Sequence, residues 1–331
     1  MNRRRFLASG LAMVGAHLAL HRPTRLFAQE TAPPAPAPAS GPAIAPASAP
    51  DSSASPPGTA FPDLAVARGE AQGALASALD ALGGIGRFVR SGQVVVIKPN
   101  ASFDAPPAWG ATTDPRLLAA VIDACLTAGA RRVIVADHTM GVADKCFART
   151  GILEAVAAFP KAKLVSLDDE TAYVPLDIPT GRALRTVKIP ALLQKADVLI
   201  NLPKAKSHAA TGVSLGMKNL MGLVWDRHVF HDAMDIHQGI ADLATAVRPH
   251  LTILDALVVL KTGGPNGPGE TESPGLVVVG ADPVAVDAYG VGICAWNQRM
   301  LRPEQVDFVR RAAESGVGSL RLDALRIARA G

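Results

Sequence analysis

The chain has only three cysteines in 331 residues, Cys125, Cys146 and Cys294. Three is too few for a disulfide framework, and their spacing matches neither a zinc site nor a ferredoxin-type cluster run, so no iron–sulfur cluster is expected. Cys125 falls on the apolar face of a helix pattern with Leu118, Val121 and Ile122, and Cys294 ends another helix that is apolar nearly all round. Both read as small buried hydrophobes. No repeat of fixed period is visible, which excludes a solenoid. No apolar run is long and clean enough for a stable membrane span. The glycine-rich stretch Thr262 to Ser273 lacks the terminal Gly-Lys-Ser/Thr of a phosphate loop and leads to a strand, which excludes the nucleotide reading.

Charge excess is missing as well. The chain holds 33 Lys+Arg and 29 Asp+Glu, but five of those arginines lie within residues 1–28, which hold no acid. The remainder carries 28 basic against 29 acidic residues. A near-neutral domain gives no electrostatic reason to expect nucleic acid as a partner. Residues 1–28 themselves resemble a twin-arginine signal peptide. Arg3-Arg4 is followed by Arg5-Phe6-Leu7 and a weakly apolar run to Leu20, diluted by Gly10, Gly15 and His17. That resemblance implies a transient partner, the twin-arginine translocase, and a periplasmic protein with no stable membrane span after cleavage. Residues 29–60 are Ala, Pro and Ser in the main. Such a segment buries too little apolar surface to offset chain ordering and reads as a disordered linker. Residues 61–331 suffice for a single α/β domain.

Within that domain, helical and strand patterns alternate. Gln93 to Ile97, Arg132 to Ala136, Lys163 to Leu167, Ala196 to Ile200, Leu251 to Leu260 and Leu276 to Val279 read as strands. Helices read over Thr113 to Gly129, from Asp114 as cap with Pro115 in the first turn, and over Asp235 to Arg248. Further helical segments follow around Val142 to Phe159 and after the Asp282-Pro283 start. The order predicts a doubly wound, mostly parallel sheet with helices on both faces.

The densest chemistry lies after Ala196-Asp-Val-Leu-Ile200. Between Asn201 and Gly222 come Lys204, Lys206, His208, Thr211, Ser214, Lys218 and Asn219, spaced by glycines. Ligands in open α/β sheets bind beyond the carboxyl ends of strands. Lys98 and Asn100 end one predicted strand, and Asp137 and His138 another. If the strands are neighbours, Lys98, Asn100, Asp137, Lys204, Lys206, Thr211, Ser214, Lys218 and Asn219 meet on one sheet edge as an anion site. Ammonium groups there favour a phosphate or carboxylate. A lysine with lowered pKa can also act as a base. His208, Lys204 and Lys218 are the catalytic candidates.

A second constellation is His228, His231 and His237, with Asp226, Asp232 and Asp235 nearby. Neutral imidazoles beside carboxylates suit a transition metal. Glu270 and Glu272 on the glycine-rich loop read as lid residues able to enter the site. Asp282 reads as a helix cap, and Asp287, inside an apolar helix, needs a partner such as a lysine.

Four pieces taken in order, Val96-Ile-Lys-Pro-Asn100, Asn201 to Gly222, Leu251-Thr-Ile-Leu-Asp255 and Gly280-Ala-Asp-Pro-Val-Ala-Val-Asp287, resemble the domain-of-unknown-function 362 family. The resemblance covers about Val94 to Trp296 and implies no activity by itself. With the residues above, it points to an exported enzyme acting on an anionic small molecule. The alternatives are metal-assisted isomerase or redox chemistry, similar in outline to nickel-dependent lactate racemase, and a non-catalytic periplasmic protein that binds a ligand or metal.

Overall fold

A computed structural model describes residues 61–330 of the chain. The signal-like residues 1–28 and the Ala/Pro/Ser-rich residues 29–60 lie outside the described residues, and so does Gly331. In chain order the elements begin with β1 (Leu64–Arg68), α1 (Ala71–Ala81), β2 (Val94–Pro99), α2 (Pro115–Thr127), β3 (Arg132–Asp137), α3 (Ala143–Arg149), α4 (Ile152–Ala157) and β4 (Ala162–Ser166). Then come β5 (Tyr173–Asp177), β6 (Thr186–Pro190), β7 (Val198–Leu202), β8 (Lys204–His208), β9 (Gly212–Ser214), α5 (Gly216–Asn219), α6 (Val229–Asp232) and α7 (Ile236–Ala246). The chain closes with β10 (Leu251–Leu260), β11 (Thr271–Glu272), β12 (Leu276–Gly280), α8 (Pro283–Val291), α9 (Asp307–Glu314) and β13 (Ile327–Ala330).

The main sheet runs β13-β1-β12-β10-β7-β2-β3-β4. Pairs β2–β3, β3–β4, β2–β7, β7–β10 and β1–β13 are parallel. The fold is α/β with a mostly parallel sheet. Strand β12 is the exception, antiparallel to both β10 and β1. No helix lies between β10 and β12, so the chain returns as a long hairpin, whereas a parallel return would need a crossover. The glycine-rich segment is the turn of that hairpin, and its end forms β11 on β10.

Alternation along the strands feeds two cores. Val95 and Ile97 of β2, with Val133 and Val135 of β3, pack on Leu75, Leu117, Leu118 and Ile152 of the helices on one face. Val96 and Ala136 point the other way, into the cluster that holds Ile240 of α7, Val284 of α8 and Phe308 of α9. A period of two with both faces covered produces the near-continuous apolar runs seen in the sequence. The α2 cap forms as read, with the Asp114 carboxylate accepting from Arg116 N at 2.8 Å. Cys125 and Cys294 are buried, although α8 ends at Val291, before Cys294. Among the described residues, no helix is long and apolar enough to cross a membrane.

Strands β2, β3 and β4 step outward on one side of the centre, and β7 lies on the other side of β2. The order of the chain therefore reverses between β2 and β7, and the crevice beyond their carboxyl ends is where a ligand fits. In that register Lys98 faces Asn201 and Pro99 faces Leu202. Strands β5 and β6 form a separate antiparallel pair.

Candidate functional site

A cleft of about 1040 Å³ opens at this switch point. Its polar lining includes Asn100 from the end of β2, Lys206 and His208 from β8, Ser214 from β9, and Lys218 and Asn219 from α5. The stretch after Leu202 forms β8 and β9, paired antiparallel with Lys206 opposite Ser214. Strand β8 also pairs with β10, where six residues of β10 (Asp255 to Leu260) span three of β8 (Lys204 to Lys206). Residues Lys204 to His208 are all buried in consequence.

Three asparagines connect the strand ends to α5. The Asn100 amide donates to Asn219 Oδ1 at 2.9 Å, and the Asn219 amide donates to Asn201 Oδ1 at 2.9 Å. Asn201 in turn donates to the Gly216 carbonyl at 2.9 Å. A buried amide chain of this kind fixes orientations because each member has few other partners. Asp287, fully buried in α8, holds the start of α5 through the amides of Gly216 (2.6 Å) and Met217 (2.9 Å). Its partner is thus backbone and not a lysine. Burial pushes its carboxyl up to about 7 against the pull of those two amides. Gly216 lies so close that an added Cβ would sit 2.7 Å from Asp287 Oδ1. Asp282 caps α8 as expected, accepting from Val284 N and Ala285 N.

The four lysines divide into two kinds. Lys98 Nζ pairs with Asp137 at 2.6 Å, both side chains fully buried, and Asp137 also accepts from Ala101 N and His138 N. Gly222 packs over the pair, where a Cβ would come within 2.5 Å of Asp137 Oδ1. Lys204 Nζ pairs with Asp255 at 3.0 Å. Asp255 also accepts from Asp114 N and Leu257 N, so this pair ties β8 and α2 to β10. Neither pair lines the cleft. Lys204, Lys98 and Asp137, read as catalytic and ligand-binding residues, are thus buried in ion pairs and lie outside the cleft lining.

Lys206 and Lys218 line the cleft without a carboxylate partner among the described residues. Lys206 Nζ donates to Asn100 Oδ1 at 3.0 Å and to the Ala111 carbonyl, and lies 4.9 Å from the centre of the Phe103 ring. Lys218 Nζ has only the Met221 sulfur, at 3.4 Å. Burial, with the Lys218 charge second, drives Lys206 well below the ordinary lysine range. Burial, with Arg227 nearby, lowers Lys218 to about 8. Arg227 is a third cation of the cleft, its guanidinium donating to the carbonyls of His138 (2.8 Å) and Thr139 (2.9 Å).

Two histidines have tautomers fixed by their partners. His208 Nδ1 accepts from Ala210 N at 3.1 Å, so a neutral ring carries its proton on Nε2. Burial, then the charges of Lys218 and Lys206, lower His208 to about 3. It is a neutral donor near pH 7 rather than a base. His138 is the converse. Its Nδ1 faces the Val224 carbonyl at 3.2 Å and must donate, leaving Nε2 to accept. Burial and Arg227 lower its pKa too.

The other candidates scatter. Ser214 lines the main cleft, whereas Thr211 lines a smaller one and bonds its Oγ1 to the Val213 carbonyl. His228 and His231 line the main cleft, but His237 lines the smaller one and stacks on Phe308. Among the described residues, no group of three His, Cys, Asp or Glu side chains is placed to hold a metal ion. Glu272 pairs with Lys261 and Glu270 accepts from Gln298, so neither reaches the cleft, while Pro265 of the same loop lines it. The sequence places His138 at a converging strand end but gives it no role in the site, and it gives none to Trp225 and Arg227. Arg227 stands immediately before His228, at the start of a stretch whose histidines and aspartates suit a metal.

Residues 95–292 match the model of the family described as Domain of unknown function (DUF362). The thylakoid-associated protein sll1697 of Synechocystis sp. is 30% identical over 220 residues, which cover 64% of this chain and 66% of that protein. The chain thus spans just under two thirds of that relative's length. The lactate racemase apoprotein from Thermoanaerobacterium thermosaccharolyticum is similar over 52% of this chain and 43% of its own. Its identity is 14% and its TM-score 0.36, and at that level the likeness carries no argument.

Proposed function

This chain belongs to the DUF362 family, and we propose that it is an exported enzyme whose cleft binds and acts on a small phosphate- or carboxylate-bearing molecule. One observation carries the reading: two buried ammonium groups, Lys206 and Lys218, line the cleft with no carboxylate of their own. Burying a cation without a counter-charge is costly, and a fold that already neutralises Lys98 and Lys204 with aspartates leaves these two unneutralised. An anionic ligand completes them. His208 adds an Nε2–H donor beside them, and Arg227 adds to the positive field.

Proton transfer fits the same groups. Lys218, at about 8, exchanges a proton near neutral pH more readily than an ordinary lysine. His138 offers Nε2 as acceptor. The twin-arginine resemblance supports export to the periplasm.

The test is calorimetric titration of methyl phosphate, a dianion across the range because its second pKa is about 6, at pH 7 to 10. Lys218 must be protonated to hold the anion. The Lys218 contribution to affinity is therefore lost as pH rises through about 8, by up to about tenfold per unit. Absence of binding to either methyl phosphate or acetate sinks the reading, and a flat profile to pH 10 removes Lys218 from it.

A further inference from the structure

We propose that the anion bound here is amphipathic, a phosphate or carboxylate head joined to a flat apolar body of at least one aromatic ring. The proposal rests on the anion reading above and adds the nature of the rest of the molecule. A bare phosphate or acetate occupies a small part of a 1040 Å³ cleft, whose size is that of sites for larger organic ligands. The cations Lys206 and Lys218 sit with the asparagines at the strand ends. Leu184, Val187, Val224 and Trp225 add an apolar stretch of lining, between polar residues such as Thr186 and Arg227.

The apolar lining is built as firmly as the polar one. The Trp225 indole lies parallel to the His138 ring, 7° apart with centroids at 5.2 Å, and Tyr173 meets its edge at 5.2 Å. Its backbone amide donates to the Lys188 carbonyl at 3.1 Å, fastening it to β6. A half-buried indole held on this side is a fixed stacking panel with little side-chain freedom left to lose on binding. Asp242 holds the loop that carries Leu184 by accepting from the amides of Arg182, Ala183 and Leu184 at 2.7–2.9 Å. Lys188, a cation on the β5–β6 side, is paired with Glu170 at 2.6 Å, and Arg227, close to the indole, is engaged by the His138 and Thr139 carbonyls, so neither is left without a partner there. One charged end and one aromatic, apolar end describe the ligand.

The experiment uses the whole domain and two pairs of probes, inorganic phosphate with 1-naphthyl phosphate, and acetate with 1-naphthoate. In at least one pair the ring-bearing anion binds at least about tenfold more tightly, the gain expected for burying an aromatic surface. That ratio falls toward one in Trp225→Ala and, from the hairpin wall, in Leu184→Asn, so a failure of either variant to fold leaves the other. Equal affinities within both pairs overturn the amphipathic proposal and leave the anion reading standing. Uncharged 1-naphthol binding as tightly as 1-naphthyl phosphate overturns the anion reading instead. No binding by any probe overturns both.

Discussion

Asp137→Ala lowers the stability of the domain by about 3–5 kcal/mol, the scale for leaving one member of a buried ion pair without its partner. Lys98 is fully buried with this carboxylate at 2.6 Å, and its remaining contacts, the Pro99 carbonyl and Asn219, are neutral. The same substitution orphans the amide of Ala101 and leaves that of His138 only the Gly222 carbonyl, at 3.3 Å. Burial already lowers the Lys98 pKa, and the Asp137 charge opposes that. Without the charge, Lys98 can only deprotonate or draw water inside. A denaturant midpoint measures the loss, and Lys98→Met/Asp137→Leu should recover part of it because no buried charge is left. A loss below about 1 kcal/mol would mean that the pair is open to solvent.

The double variant Lys206→Met/Lys218→Met behaves in the opposite sense. Two charged hydrogen bonds to a ligand disappear, so affinity for anions drops by about a hundredfold or more. Stability does not fall with it and should rise by about 1–3 kcal/mol near neutral pH. The sign follows from the depressed pKa values. A lysine lowered to about 8 in the folded chain and near 10.4 unfolded binds its proton less well when folded. The wild type is therefore penalised below 8, and its stability recovers as pH rises from 8 toward 10.4. Thermal midpoints of wild type and variant converge over that window. A variant that loses stability along with affinity would show that the lysines serve the fold rather than a ligand.

Much of this layout was legible in the residues, because strands covered on both faces leave apolar runs and a helix start leaves an Asp-Pro signature, as at Asp114 and Asp282. The location of the cleft was legible too, since Lys98-Pro-Asn100 and Asn201-Leu-Pro-Lys204 end strands that prove adjacent. What failed was the division of labour among like residues. Lys98 and Lys206 look alike as a sequence, but Asp137 and Asp255, which come from other strands, decide which ammonium is neutralised. The β8–β9 hairpin was hidden because its residues, Lys-Ala-Lys-Ser-His and Gly-Val-Ser, lack β-branched enrichment, and pairing with β10 supplies what propensity does not. Strand β12 reverses because no helix separates it from β10, a sign present in the sequence and given too little weight. The histidines failed as a set because only His228 and His231 share the cleft. The α7 start at Ile236 carries His237 away, toward Phe308.

The central claim is that Lys206 and Lys218 are held unneutralised for an anion. Its most direct test is a crystal of the domain soaked in tungstate, a phosphate isostere located by its anomalous signal. The account predicts one strong peak in the main cleft, within hydrogen-bonding distance of both Lys206 Nζ and Lys218 Nζ and of His208 Nε2. A peak confined to surface arginines, or an empty cleft with a carboxylate turned in to meet the two lysines, contradicts it.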